Sequence, residues 1–451
     1  MDFSRMTIQE LIDPKGYDCS CGKHHCLNLN YLSIRSGAIE ELPQALEALG
    51  CSNPFVVCDK NTYEAAAKRA GEILSAAGIA HTIYVVPEME ERLRPSEWEL
   101  GSIAMHFDPR CDVILGVGSG VINDLCKIFG YGIQKPNMIV ATAPSMDGYA
   151  SNSSSMEVNN VKTTIYTQMP SAILCDTDIM AKAPIRMLWA GFGDMMAKFL
   201  SVCEWRIANL ANGEYYCDAV ADIMRSAARK VMDAAAGIPA RDPAAVQTIA
   251  EGLIAAGIAM SYAEMSRPAS GQEHYFSHMW EMMALARNKP YDLHGIQVGV
   301  STLLACRIYE KLKGLPASRE KAEESIRAFD REAWAENVRR VFGSTAPEIF
   351  AIEEKAGKND PQKHAARLAR TLENWELIQQ TIEKEIPPYE QIYNAMKVTG
   401  MPMTPADIGI DAQDVHDAFV CSRDMRDRYL ISSMLWDIGE LKNFADELFP
   451  V

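Results

Sequence analysis

An α/β domain followed by an all-helical domain is the architecture that this sequence predicts, and three observations predict it. Short β-rich runs alternate with helical stretches over residues 1–183. One of those runs passes into a helix through a cluster of glycines. From Pro184 to the end, over 184–451, the pattern is helical almost throughout. Strands that alternate with helices imply a parallel sheet with helices on both faces.

The elements follow in order. Phe55-Val-Val-Cys58 is the first apolar run, and Thr82-Ile-Tyr-Val-Val86 the second. Val113-Ile-Leu115 and Met138-Ile-Val140 come next, with helical periodicity over 62–78, 94–106 and 121–131 between the runs. Two more strands are expected at Thr163–Thr167 and Ala172–Cys175, separated by Met169-Pro170. Pro184 suits the first turn of a helix, where its missing N–H costs nothing. Beyond it Ile185, Leu188, Trp189, Phe192, Phe199, Leu200 and Cys203 recur at helical spacing. Breaks fall at Gly237-Ile-Pro239, Lys289-Pro290, Gly314-Leu-Pro316 and Pro387-Pro388. The charged stretch 318–340 reads as a solvated helix face, and no internal repeat is visible.

The chain has 451 residues, enough for two domains with a core each, and 48% hydrophobic with 23% charged residues is a globular composition. A net charge of -16 disfavours nucleic acid and anionic membranes as partners. An anionic substrate then needs a local basic pocket. No basic segment followed by an apolar run marks a secretory signal, and no uninterrupted apolar stretch is long enough to span a membrane. Twelve scattered cysteines fit reduced thiols. Together these lead us to expect a cytoplasmic protein.

Val113-Ile-Leu-Gly-Val-Gly-Ser-Gly120 carries the glycines, with Asp124 and Lys127 following on the helix. Glycines let a backbone approach a phosphate, and a helix N-terminus offers free N–H groups. The motif is not the G-x-G-x-x-G fingerprint and comes after about two βα units. A glycine turn there also serves packing alone. Asp59 ends the first β-run, where a carboxylate can hold a ribose or cap the next helix.

His274 and His278 are four residues apart in Gly271-Gln-Glu-His-Tyr-Phe-Ser-His-Met-Trp-Glu281, so both project from one helical face, which Glu281 continues. His294 follows in Asp292-Leu-His294. Two or three histidines with one carboxylate and an open position make a catalytic divalent-metal set. Asp194, flanked by Gly191 and Gly193, is the carboxylate candidate. Read alone, it is an acid at a helix start, favoured by the dipole.

These pieces in this order resemble the superfamily of iron-containing alcohol dehydrogenases, glycerol dehydrogenases and dehydroquinate synthases. The resemblance rests on Gly116-Val-Gly-Ser-Gly120 with Asp124 and Lys127, on Ala141-Thr-Ala-Pro-Ser-Met-Asp-Gly-Tyr-Ala-Ser151, on Ala181 to Asp194, and on the histidine segments. Within it, Ser266-Arg-Pro-Ala-Ser-Gly-Gln-Glu-His274 is similar to the sn-glycerol-1-phosphate dehydrogenases, and Pro405–Ile410 and Met425–Tyr429 to their longer bacterial members. The likeness covers about residues 30 to 435.

It implies a dehydroquinate synthase-like fold whose first domain is Rossmann-like, binds NAD or NADP and covers residues 1–183. It implies one divalent ion, with zinc, nickel and iron all suited to Asp194, His274 and His294, in a helical domain over 184–451. Gly116, Gly118, Ser119 and Gly120 then wrap the cofactor pyrophosphate, and Asp124, Thr142, Ser145 and Ser151 line the same cleft. Asp59 faces the adenosine ribose. Asp147 touches substrate, and Asp147 or His278 relays the proton. Arg267 and Lys162 meet the phosphate of a small phosphorylated ketone, glycerone phosphate. Each also has a structural reading, Arg267 as a helix cap and Lys162 as a solvated strand residue. A homodimer is the expected assembly. Ser119 stands where many relatives have glycine, and 318–390 is longer and more charged than the family leads one to expect.

Two rival activities belong to the same superfamily. A lyase of the dehydroquinate synthase type needs a polar side chain where Gly271 stands. A polyol dehydrogenase acting on an uncharged substrate has no use for Arg267 and Lys162. Finally, Cys19, Cys21, His24, His25 and Cys26 crowd one N-terminal segment. Their spacing lacks paired CxxC units, so the sequence favours a loop without metal.

Overall fold

The computed structural model describes residues 2–87, 93–158 and 161–451, with the side chains of 161 and 162 outside that description. The chain forms two compact units that are interleaved in sequence. One comprises Met1–Met195 and Asp218–Pro268, the other Met196–Cys217 and Ala269–Val451.

Strands β1 (Tyr17–Asp18) and β2 (His24–His25) make a small antiparallel hairpin in the first unit. Its main sheet contains β3 (Tyr31–Arg35), β4 (Pro54–Cys58), β5 (Thr82–Val85), β6 (Val113–Gly118) and β7 (Asn137–Ala141). After β8 (Ser153–Val158) and β9 (Val161–Tyr166), strand β10 (Ala172–Asp176) completes it. The order is β3-β10-β7-β6-β4-β5, and all neighbours are parallel. The expected run at 163–167 is a strand, but it pairs antiparallel with β8 outside the main sheet, with Thr164 opposite Ser155.

Both faces of the sheet are covered, which explains the continuous apolar runs. Val56, Cys58, Leu115 and Val140 pack on one face with Leu42 and Leu46 of α1 (Leu42–Leu49) and Ile73 and Leu74 of α2 (Lys68–Ala76). Phe55, Val57 and Ile114 pack on the other with Ile103 of α3 (Glu97–His106) and Leu125 and Phe129 of α4 (Gly120–Gly132). Each such side chain, fully buried, contributes about 1.5–3 kcal/mol.

The first unit is completed by α5 (Ile185–Met196), α6 (Asp218–Asp233) and α7 (Pro243–Ala263). Helix α7 has 21 residues and a mean hydropathy of 1.4 in its most apolar window, so by length and composition it is able to cross a membrane. In this fold 72% of that window is buried inside the protein. Asp242 caps it, accepting from Ala244 and Ala245, and Pro243 opens it.

The second unit is helical. Its centre holds α8 (Gln272–Ala286) and α9 (His294–Leu312), together with Lys198–Asn212. The stretch 318–340 forms parts of two short helices, Arg319–Arg327 and Arg331–Phe342, whose buried residues are Ala322, Val338 and Phe342. That is a solvated face over a narrow apolar stripe. The charged insertion also has a packing role. Arg340 forks onto Asp417 at 2.6 and 2.7 Å, and Arg367 onto Asp437 at 2.8 and 2.9 Å. The Lys358 ammonium donates to the carbonyls of Arg423, Arg426 and Arg428, fastening the 423–428 loop.

Candidate active site

In the first unit the winding direction of the sheet reverses between β4 and β6. Helices α1 and α2 lie on one face and α3 and α4 on the other. Open α/β sheets bind ligands at such a point, beyond the carboxyl ends of the strands. Asp59 follows β4 there, and Ser119 follows β6. Asp59 is the N-cap of the next helix: its carboxylate accepts from Thr62 N at 2.7 Å.

The glycines divide by what surrounds them. A Cβ at Gly116 would approach Ile139 to 2.9 Å, and one at Gly118 would approach Ile122 to 2.6 Å. Close packing at the end of β6 therefore calls for glycine at both, against Ile139 of β7 and against Ile122 of α4. Ser119 and Gly120 open α4, whose first N–H groups lack partners within the helix. The Ser119 and Ser145 hydroxyls are hydrogen-bonded to each other, and Tyr149 Oη donates to Ala143 O at 2.7 Å. Thr142 N donates to Gly118 O at 3.0 Å. The glycine turn and the 142–149 loop are thus one hydrogen-bonded surface.

Lys127 holds that loop from below. It is fully buried, and its ammonium donates to the carbonyls of Gly148, at 3.1 Å, and Ser153. Burial pulls its pKa down, partly offset by Asp124, whose carboxylate lies 3.4 Å away. Asp124 also accepts from Ser155 N at 3.1 Å, and the Ser151 hydroxyl bonds to Gly148 O and Ser153 O. The polar atoms of Asp124 and Ser151 thus take part in fixing the 148–155 turn. Nothing in the sequence distinguished that role from cofactor contact.

Asp194 lies on α5 with no exposure, and its Oδ2 accepts from Asp147 N at 3.0 Å. A glycine makes the approach possible. One turn earlier on α5, a Cβ at Gly191 would overlap the Pro144 carbonyl and come within 3.1 Å of Leu253. Gly191→Ala is therefore expected to destabilise the protein by about 3 kcal/mol, because the obstruction is backbone and cannot rotate away. A thermal melt checks this. Arg267, just beyond α7, is 2% exposed. Lys162 lies in β9 by its backbone, and its side chain falls outside the described residues.

The candidate imidazoles lie in the second unit. His274 on α8 is buried, and its Nδ1–H donates to Glu273 at 3.0 Å. His294 opens α9 with its ring 5.4 Å from that of His274 and 5.3 Å from that of His278. Its Nδ1 lies 3.0 Å from Ser277 Oγ and 3.3 Å from Glu281 Oε1. A carboxylate only accepts, so each Nδ1 carries a proton, and in the neutral ring Nε2 is then the nitrogen able to ligate a metal. Burial holds the pKa of His278 well below its ordinary value. The sequence had placed Glu281 on the histidine face without a role. Its i, i+3 spacing from His278 was the available signal.

Arg426, inside the Met425–Tyr429 motif, was given no role of its own by the sequence. Its guanidinium lies 6.0 Å from the Tyr275 ring, and its charge depresses the His278 pKa. It sits on the loop that Lys358 fastens, more than a hundred residues from the histidines in sequence, so only the fold links them.

Residues 33–184 match the family model described as iron-containing alcohol dehydrogenase. The chain is 35% identical over 295 residues to the glycerol-1-phosphate dehydrogenase of Halalkalibacterium halodurans, covering 65% of this chain and 74% of that one. It is 34% identical over 346 residues to the enzyme of the same name from Bacillus licheniformis, covering 75% and 86%. The fold resembles the crystal structure of glycerol dehydrogenase from Schizosaccharomyces pombe with a TM-score of 0.61 at 15% identity, over 96% of this chain and 93% of that one. The chain belongs to the glycerol-1-phosphate dehydrogenase family, within the iron-containing alcohol dehydrogenase superfamily.

Proposed function

We propose that this protein reduces glycerone phosphate to sn-glycerol 1-phosphate with NADH or NADPH, and catalyses the reverse oxidation. The ion is held by Asp194, His274 and His294. One carboxylate and two imidazole donors suit zinc, nickel or iron. When bound, the ion polarises the ketone oxygen and the nicotinamide supplies hydride.

The chain's own residues do the rest. Ser119, Gly120 and the N-terminus of α4 cradle the pyrophosphate, beside Thr142 and Ser145, with Gly116 and Gly118 shaping the turn. Asp124 and Ser151 hold the cleft wall, and Asp59 takes the adenosine ribose. Asp147 or His278 delivers the proton to the new hydroxyl oxygen. Arg267 and Lys162 bind the substrate phosphate, Arg as a fork and Lys as a point charge. The enzyme works in the cytoplasm as a homodimer.

One observation carries the reading: both candidate imidazole ligands have Nδ1 beside a buried carboxylate, Glu273 or Glu281, which favours Nε2 as the ligating nitrogen. Glu281→Gln is accordingly expected to weaken metal binding by about 10–100-fold. Competition against a chromogenic chelator measures it.

Initial rates with NADH and NADPH on glycerone phosphate, glycerone and glycerol, before and after chelation, test the whole proposal. Chelation-sensitive turnover of glycerone phosphate is expected to dominate. Faster turnover of the uncharged substrates would instead favour a polyol dehydrogenase.

A further inference from the structure

We propose that the N-terminal hairpin is a second metal site, a structural zinc held by the thiolates of Cys19 and Cys21 and by Nε2 of His25. All three residues lie in the first unit, on a segment for which the proposed reaction has no use. Their ligand atoms lie within 4.8 Å of one another.

The hairpin is built to hold them there. Strands β1 and β2 pair Tyr17 with His25 and Asp18 with His24. The turn between them is closed by Cys19 N donating to Lys23 O and Gly22 N to Cys19 O, both at 3.0 Å. Gly22 has a φ of +88°, a conformation that suits glycine and lets the chain reverse between Cys21 and Lys23. At the base, a Cβ on Gly16 would collide with the His25 carbonyl. Outside the turn, Lys23 pairs with Glu264 at 2.6 Å and ties the hairpin to the end of α7.

His25 is prepared as a ligand. It is 1% exposed, and its Nδ1–H donates to the Tyr262 carbonyl at 2.9 Å. That bond fixes the tautomer and leaves Nε2 as the lone-pair nitrogen. Nε2 lies 3.4 Å from Cys21 Sγ. Two ligands on a tetrahedral zinc, with bonds of about 2.3 Å to sulfur and 2.0 Å to nitrogen, stand about 3.5 Å apart. Stacking on Tyr262, with ring centroids 5.2 Å apart, and the edge of Phe3 at 5.8 Å orient the imidazole. Thiolate and imidazole donors select zinc over the harder divalent ions. Binding releases the two thiol protons to solvent, and no electron is transferred. The hairpin supplies three of the four positions, and the fourth takes another side chain or a water.

Cobalt substitution of the full-length protein tests this separately from the proposed activity. A carboxylate–imidazole centre gives no thiolate-to-cobalt charge-transfer band, whereas the hairpin site does. The expected result is that band in the near ultraviolet of the cobalt-loaded wild type, its loss in the Cys19→Ser/Cys21→Ser variant, and a fall of one metal equivalent per chain by elemental analysis. His25→Cys, which retains a soft donor, is expected to keep the band and change its intensity. A cobalt-loaded wild type without the band overturns the proposal whatever the variants do. So does a Cys19–Cys21 disulfide in protein purified without reductant, or a metal content unchanged in the double variant.

Discussion

Asp194→Asn is expected to abolish binding of the proposed divalent ion and to lower kcat/KM for glycerone phosphate by about a thousandfold or more. Elemental analysis and steady-state rates measure the two effects. The substitution isolates charge from shape. Asparagine keeps an oxygen that can accept from Asp147 N, which now bonds to Asp194 Oδ2 at 3.0 Å, so the 144–147 loop keeps its anchor. What disappears is the anionic donor, at a position with no solvent exposure. A neutral amide is a poor ligand beside two imidazoles. Loss of Lewis-acid stabilisation worth several kcal/mol corresponds to about three powers of ten in rate. The melting temperature should change little, since no packing is removed. Full metal content with near-normal turnover would remove Asp194 from the site.

The parallel sheet was legible because four of its strands are buried on both faces. Phe55–Cys58 and Val113–Leu115 are apolar without interruption, and a doubly covered strand leaves no other signature. Strand β3 was not legible. Tyr31-Leu-Ser-Ile-Arg35 sits at the edge, pairs only with β10 within this sheet, and alternates too weakly to stand out. Strand β8 hides behind three consecutive serines and takes its order from β9. Nor does any local pattern announce that 218–268 return to the unit built on the sheet, because membership of a core is a long-range property.

The site shows the same division. His274, His278 and His294 stand out in the sequence because histidine is scarce and helical spacing is rigid. Glu273 and Glu281 do not, since an acid on a helix is ordinary until something buried faces it. Asp124 shows what spacing leaves open: a polar residue one turn into a glycine-loop helix suggests a ligand contact, and its carboxylate also meets Lys127 and Ser155 N.

The second large effect is expected at Arg267, and it separates substrates. Arg267→Ala should lower kcat/KM for glycerone phosphate about a hundredfold or more while changing that for glycerone only a few-fold. A guanidinium at 2% exposure sits where water screens it little, so its attraction to a phosphate dianion is strong. Removing one partner of a buried, hydrogen-bonded charge pair costs about 2–5 kcal/mol. The protein as a whole carries a charge of -16, which makes a local cation the means of holding such a substrate. Arg267→Lys should fall between, because lysine keeps the charge but not the fork. A purely structural arginine would behave differently, lowering both rates together along with the melting temperature. Parallel loss on the two substrates would therefore assign Arg267 to the fold rather than to the phosphate.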